Sequence, residues 1–532
     1  MSLSKILLCV LMLSACTSKN KSLDTFVFCS VGSPSSFNPQ LATDGPTFNA
    51  SSSPLYNRLV DFSPGTTQLV PSLAESWEVK NKLEYIFKLR KGVKFHTTEY
   101  FRPTRDFNAD DVVFTFNRQL KKDHPFHKVG GGVYKYFESM GMEELIKAVE
   151  KVDAYTVKFV LSRPESPFLA NLGMDFASIL SKEYADQLVS RGTLENIDTD
   201  PIGTGPYVFK KYVKDSVVRF EANSQYFQGK PKINKMVFAI TTDPNVRTQK
   251  LLARECHLLN EPAPQDIEKI QQTKGLEVVQ AAGLNVGYLA MNTQKQPFDN
   301  VLVRRAMNHA LNREAYLNAI YHNKAVLASN PLPPTVWSYH KDLKSYEYNV
   351  SKAKELLIQA GYPNGFETEL WTLPVSRPYN PDGRKMGEMM QADLAKVGIK
   401  VKLVTYDWST YLEKTRNGEH SLAQLGWSGD NGDPDNFLNI LLSCNAIKGG
   451  NNVSRWCNKE YTEIIEKARQ VSDNATRTNL YLKAQEIFAQ EVPWVPLAHA
   501  TVYKGKVETL AGYQINPLSV EKFFGLQFVS KP

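Results

Sequence analysis

The densest run of side chains that could do chemistry is Asp430-Asn431-Gly432-Asp433-Pro434-Asp435-Asn436. Such a run could ligate Ca²⁺, but an EF-hand loop places ligands at alternate positions with Gly at the sixth. Here Gly is third and Pro fifth, so the fit is poor. Three other uses stay open: a solvated turn, the N-cap of a following helix, and an anchor for a cationic ligand. Leu422 to Trp427, directly before the run, is largely apolar and reads as a strand. A carboxylate just past the carboxyl end of a strand is well placed to face a cleft.

Motifs of catalysis are missing. Gly426-Trp427-Ser428-Gly429 is not a nucleophile elbow, because its second Gly comes one residue early. Gly203-Thr204-Gly205-Pro206 lacks the third Gly of a dinucleotide turn, and Pro206 removes a donor. There is no HExxH and no phosphate loop ending in Lys-Ser/Thr. His124 and His127 flank Pro125 and are poor candidates for paired ligands on a helix. The expectation is a binding protein with no catalytic residue, metal or cofactor. An exported peptidase is the enzymatic alternative.

The N-terminus points to export. Lys5 precedes a short apolar run, Ile6 to Leu13, too short for a permanent membrane helix. Leu13-Ser14-Ala15-Cys16 resembles the lipobox of bacterial lipoproteins. That resemblance implies a signal peptide over residues 1–15, lipidation at Cys16, and a tether over residues 16–25. Beyond Cys9 and Cys16, the remaining four Cys are Cys29, Cys256, Cys444 and Cys457. An even number in an exported chain favours disulfides. Cys444 and Cys457 enclose a Gly/Asn-rich loop, which suggests that they pair. Cys29 with Cys256 would then pin the N-terminal strand. Zinc is the competing use, without CxxC or clustered His to support it.

The elements that must position these groups alternate between strand and helix. With 532 residues the chain is too long for one compact core. Hydrophobic residues at 42% and charged residues at 22% fit a folded soluble body. The net charge of +8 comes without a long basic run, which argues against nucleic acid as a partner. Strands are expected at Phe26–Ser30, Glu84–Arg90, Thr156–Leu161 and Lys400–Asp407, with a more buried one at Val237–Thr241. Helical faces recur at Val303, Ala306, Met307 and Ala310, over Lys352–Ala360, at Met386, Met389, Met390 and Leu394, and at Leu480, Ala484 and Phe488. The methionines are read as core packing. The alternation implies an α/β architecture, and the absence of a Pro/Gly linker implies lobes joined by short strands.

Several longer blocks carry a family resemblance. Leu73 to Trp77, Phe87 to His96, Phe107 to Thr115, Pro201 to Tyr207, Gly283 to Tyr288 and Gly426 to Phe437 together resemble the extracellular solute-binding protein family 5. These are peptide and nickel receptors of ABC importers. The resemblance spans nearly the whole mature chain and is strongest to the dipeptide branch, with haem- and glutathione-binding lipoproteins as neighbours.

The resemblance implies a two-lobed periplasmic-binding-protein fold (type II, cluster C) with an extra subdomain in the first lobe. Lobe I would cover residues 26–282, with the subdomain at about 57–198. Lobe II would cover 283–501, and 502–532 would return to lobe I. The hinge would lie near Gly283 to Leu289 and His499 to Tyr503, and closure would bury the ligand.

By the same resemblance, Asp430 pairs with a peptide α-ammonium and Arg377, in Arg377-Pro378-Tyr379-Asn380-Pro381, takes the α-carboxylate. Both ligand charges are then paired on burial, which makes burial affordable. Tyr379, Trp427 and Gly429 would line the pocket, and the turn Thr43-Asp44-Gly45 would touch the ligand. Both cysteine pairs have counterparts in the dipeptide branch. The lipobox instead matches the haem and glutathione relatives, so a glutathione or haem receptor is the alternative; no axial haem ligand is evident. The implied partners are short peptides, an importer permease and, through the lipid, a bacterial membrane. The implied form is a periplasmic monomer.

Overall fold

The structure, a computed structural model, describes residues 24–518 and 520–530. The signal segment, Cys16 and nearly all of the tether fall outside these residues. Among the described residues no helix is long and apolar enough to cross a membrane.

One strand organises the molecule. Trp494–Val507 runs through a single 12-stranded sheet and belongs to both halves of it. Its first part pairs with Asn285–Met291, beside which lie Leu422–Ser428, Glu367–Trp371 and Lys400–Val404. Its second part pairs with Leu276–Ala282 and Leu258–Asn260. Beyond these come Thr25–Ser30, Lys235–Ile240, Val217–Ala222 and Tyr207–Val213. The chain thus passes between the two halves of the sheet twice, near residues 283–285 and 498–501. At that point Asn285 closes a side-chain ladder, donating from Nδ2 to the Ala500 carbonyl (3.0 Å) and accepting from the Ala500 amide (2.8 Å). His499 Nδ1 donates to the Asn285 carbonyl (2.8 Å). A Cβ on Gly283 would lie 2.2 Å from the Ala500 carbonyl oxygen, so only Gly fits there.

The first lobe carries a four-stranded antiparallel sheet in the order Ala74–Lys80, Glu84–Leu89, Thr156–Leu161, Ile146–Asp153. Helix Ala109–Leu120 packs on it. Its start is set by Asn108 and Asp111, which form a reciprocal capping box. Its buried Phe116 meets Phe159 edge-on at 4.9 Å, and Phe159 also touches Phe87 and Phe168. Replacing Phe159 by Ala would cost about 3–5 kcal/mol through the cavity left behind. The C-terminal tail is knit into the first lobe by Lys522 with Asp61 (2.8 Å) and Lys504 with Glu521 (2.7 Å).

Two expectations are corrected. The strand expected at Val237–Thr241 spans Lys235–Ile240 and is not buried throughout. Met236, Phe238 and Ile240 are buried while Val237 and Ala239 are half-buried, because only one face of the strand meets the core. The strand expected to reach Asp407 ends at Val404, since Asp407 caps helix Trp408–Arg416 by accepting from the Thr410 amide. The methionine stripe sits on helix Gly383–Ala395, with Met386 and Met390 fully buried in the second lobe's core. Both disulfides are formed, Cys29–Cys256 and Cys444–Cys457. The first ties strand Thr25–Ser30 to the segment just before Leu258–Asn260 across 227 residues, and the second closes a loop of 13.

Candidate ligand-binding site

A cavity of about 420 Å³ lies between the lobes, within the range of small-molecule pockets. The first lobe contributes Thr43 to Pro46, Phe48, Tyr136 and Asp175. The second contributes Arg377 to Tyr379, Trp408, Leu425 to Ser428 and Asp430.

Asp430 follows strand Leu422–Ser428, and its loop is built around Asn436. Asn436 Oδ1 accepts from the Asp430 amide (2.9 Å) and from Trp427 Nε1 (3.1 Å), and its Nδ2 donates to Asp430 Oδ2 (3.2 Å). The other carboxylate oxygen, Oδ1, accepts from Tyr136 Oη at 2.9 Å. Burial pushes the Asp430 carboxyl up to about 7; the two side-chain donors pull against this, and the charge of Asp175 adds to it. Among the described residues no cation stands within ion-pairing distance of Asp430. Burial, reinforced by Asp430, keeps the Tyr136 hydroxyl protonated and therefore a donor.

The other acidic residues of the loop are already engaged. Both Asp433 oxygens accept from Arg477 Nη2 (2.8 and 2.9 Å). Asp435 opens helix Asp435–Leu442 and lies 3.5 Å from Arg469. Arg469 also pairs with Glu165 of the first lobe at 2.8 Å. Burial raises Glu165 against the pull of Arg469. Two carboxylates of the loop thus lie against arginines, and one faces the cavity.

Arg377 and Tyr379 sit in a tight turn, in which the Arg377 amide donates to the Asn380 carbonyl (3.1 Å) and the Asn380 amide donates back (3.0 Å). Gln424 of the adjacent strand anchors the segment, its Oε1 accepting from the Leu373 amide (3.1 Å) and Asn380 Nδ2 (3.3 Å). Tyr379 then lies on the sheet where two glycines leave room. A Cβ on Gly426 would lie 2.2 Å from its ring, and one on Gly287 would lie 2.3 Å from its carbonyl oxygen. That carbonyl accepts from Tyr321 Oη at 2.6 Å. The Arg377 guanidinium lies 5.2 Å from the Trp408 ring centroid, a cation–π distance, and has no carboxylate partner among the described residues.

The family described as "Bacterial extracellular solute-binding proteins, family 5 Middle" matches residues 68–449. The chain belongs to that family. It is 50% identical over 500 residues to the dipeptide-binding protein of Escherichia coli, covering 94% of each chain. It is 45% identical over 514 residues to heme-binding protein A of Haemophilus influenzae, covering 96% of this chain and 94% of that one. Among solved structures, a Pseudoalteromonas dipeptide-binding protein in complex with Met-Leu superposes with a TM-score of 0.89 at 38% identity, covering 95% of this chain and all of the other. The fold is that of the family's type II periplasmic binding proteins.

For this family member, the structure gathers Thr43, Asp44, Gly45, Arg377, Tyr379, Trp427 and Asp430 around one cavity. Gly429 is not on its wall: its amide donates to the Leu284 carbonyl (2.7 Å), and a Cβ there would strike Leu284 and Phe437. Asp44 is committed to capping helix Gly45–Ala50, accepting from the amide and hydroxyl of Thr47 (both 2.9 Å). Tyr136, Trp408 and Arg416 also line the cavity, and Asn436 holds its acidic loop. Asn436 ends the acidic run, so a cap-forming Asn was the available signal; the others carry no local one.

Proposed function

We propose that the protein captures short zwitterionic peptides, dipeptides above all, and delivers them to the permease of an ABC importer. The observation that carries this reading is that, among the described residues, Asp430 faces the cavity with no cation within ion-pairing distance and Arg377 lines it with no carboxylate within that distance. A ligand with an ammonium at one end and a carboxylate at the other would satisfy both. Tyr379 and Trp427 would supply apolar wall, and the turn at Thr43 to Gly45 would close the cavity from the first lobe. The names of the dipeptide-binding relatives support the ligand class.

Calorimetric titration with dialanine, oxidised glutathione and haem tests the reading. Saturable 1:1 binding of dialanine, tighter than that of glutathione or haem, is expected. Binding of haem or glutathione with none of dialanine would overturn it and support the receptor reading that the heme-binding relative suggests. Periplasmic anchoring through Cys16 is part of the proposal. The mass of the mature protein should show lipid on an N-terminal Cys16, lost in Cys16→Ala.

A further inference from the structure

Helix Trp408–Arg416 lies along the cavity and puts Trp408, Leu412, Thr415 and Arg416 on its wall. These positions share one face, because residues three and four apart are neighbours on a helix. The two ends of that face differ in what they hold. At the first turn the Trp408 ring faces the Arg377 guanidinium. At the last turn stands a second guanidinium, that of Arg416, about 12 Å further along the helix axis.

Arg416 is fixed at its base and uncommitted at its tip. Its carbonyl accepts from Arg455 Nη1 (2.9 Å). The loop closed by Cys444–Cys457 packs on its stem, where a Cβ on Gly450 would lie 2.7 Å from Arg416 Cβ. The side chain lines the cavity half-buried. Among the described residues its guanidinium has no carboxylate within ion-pairing distance and no hydrogen-bond acceptor. Burial lowers that guanidinium from its ordinary value, and Tyr136 pulls the other way. Arg416 therefore stands on the side of Tyr136, whose hydroxyl holds Asp430.

The other charges at this end are matched. Lys135 and Glu138, on helix Lys135–Ser139 with Tyr136, are exposed and opposite in sign. Asp175 pairs with Arg58 at 3.2 Å. Once Asp430 takes an ammonium, the charge left without a partner here is that of Arg416.

We propose that Arg416 sets the side-chain preference of the site by pairing with the carboxylate of an acidic first residue, so that peptides led by Glu or Asp bind best. The proposal rests on the peptide-binding reading above. With the peptide ammonium at Asp430 and its α-carboxylate at Arg377, the first side chain is the one nearest Tyr136 and Arg416. Leu412, one turn before Arg416, would face the methylenes of a Glu side chain, and the guanidinium would meet its carboxylate.

Calorimetry with dialanine, Glu-Ala, Gln-Ala, Ala-Glu and Ala-Gln, on the native protein and on Arg416→Met and Arg416→Lys, tests it. Met keeps the stem beneath Gly450 and removes the charge. The native protein should bind Glu-Ala about tenfold tighter than Gln-Ala, as a hydrogen bond between charged groups allows, and Ala-Glu within about twofold of Ala-Gln. The advantage of Glu-Ala over Gln-Ala should vanish in Arg416→Met and be partly kept in Arg416→Lys. Equal affinity of the native protein for Glu-Ala and Gln-Ala would overturn the preference, with or without a folded variant, and leave the peptide reading standing where dialanine binds. An advantage that persists in Arg416→Met would overturn it as well. Loss of dialanine binding in Arg416→Met would make Arg416 the α-carboxylate partner and overturn the side-chain role. Failure of every peptide to bind would overturn both readings.

Discussion

Tyr136 Oη donates to Asp430 Oδ1 at 2.9 Å, and the two residues stand 294 positions apart on opposite sides of the cleft. The bond does two things at once. It holds the lobes together over the cavity, and it favours the charged form of a carboxyl that burial otherwise drives towards the neutral one. The site is thus set near the boundary between a neutral acid and an anchoring anion.

A pH dependence follows. In the free protein the Asp430 carboxyl titrates at about 7. A bound ammonium would lower that value, so binding releases a proton at pH values between the lowered value and about 7. Peptide affinity should therefore rise about tenfold per pH unit towards pH 7, level off, and fall again as the peptide amine loses its proton near pH 8. Titrations in buffers of different ionisation enthalpy should show proton release at pH 6 and little at pH 7.5. The free protein should change in the opposite sense. A carboxyl raised on folding contributes most below its unfolded value, and that contribution is lost as the pH climbs to about 7.

Tyr136→Phe removes one donor from the charged form of Asp430. The rising limb of the affinity profile should shift to higher pH. Affinity at pH 7 should fall by about 1.5–3 kcal/mol, the range for a hydrogen bond to a charged group. An unshifted limb with intact affinity would mean that Tyr136 does not set the state of Asp430.

Arg377→Met should weaken dialanine by about 1–3 kcal/mol and abolish the difference between dialanine and its C-terminal amide. Arg416 also lines the cavity, so it is the natural control. If Arg416→Met carries the loss and Arg377→Met does not, the carboxylate partner is Arg416.

The two disulfides should fail differently on reduction. Chain-entropy reasoning gives about 5 kcal/mol for the 227-residue loop closed by Cys29–Cys256 and about 3 kcal/mol for the 13-residue loop closed by Cys444–Cys457. The shorter loop contains Gly449, Gly450 and Asn451, which line the cavity. A Cys444→Ser/Cys457→Ser variant should lose peptide affinity as well as stability. A Cys29→Ser/Cys256→Ser variant should lose mainly stability in denaturant titration.

Gly287→Ala should be costly although it adds one methyl group. The added carbon meets the Tyr379 backbone carbonyl, which cannot turn aside as a side chain can. A loss of about 1–3 kcal/mol is expected, together with weaker peptide binding, because the Arg377 turn is displaced.

Much of the scaffold was legible in the sequence because it is periodic. The faces of Val301–Ala310 and Gly383–Ala395 follow from the 3.6-residue repeat, and Glu84–Leu89 and Thr156–Leu161 from an alternation that only Ile86 and Val160 interrupt. Lys235–Ile240 misled because Val237 and Ala239 are apolar yet half-buried, so composition concealed the alternation. Asp430 was legible from its place at a strand end, but its tuning was not. Tyr136 and Asn171 reach the acidic loop from the first lobe, and such long-range partners leave no local pattern. Gly429 sits in the same short run as Trp427 and Asp430, yet it is turned away from the cavity against Leu284 and Phe437. Asp44 lines the cavity, and its two bonds to Thr47 also cap the helix that follows.

The central claim, that Asp430 anchors the peptide ammonium, is tested most directly by a cycle of two changes. Dialanine and N-acetyl-dialanine are titrated against the native protein and Asp430→Asn at pH 7.5. Each single change should weaken binding by about 3 kcal/mol, as loss of one partner from a buried charge pair does. Made together, the changes should cost little more than either alone, because both remove the same contact. Fully additive losses, or dialanine affinity unchanged in Asp430→Asn, would contradict the account.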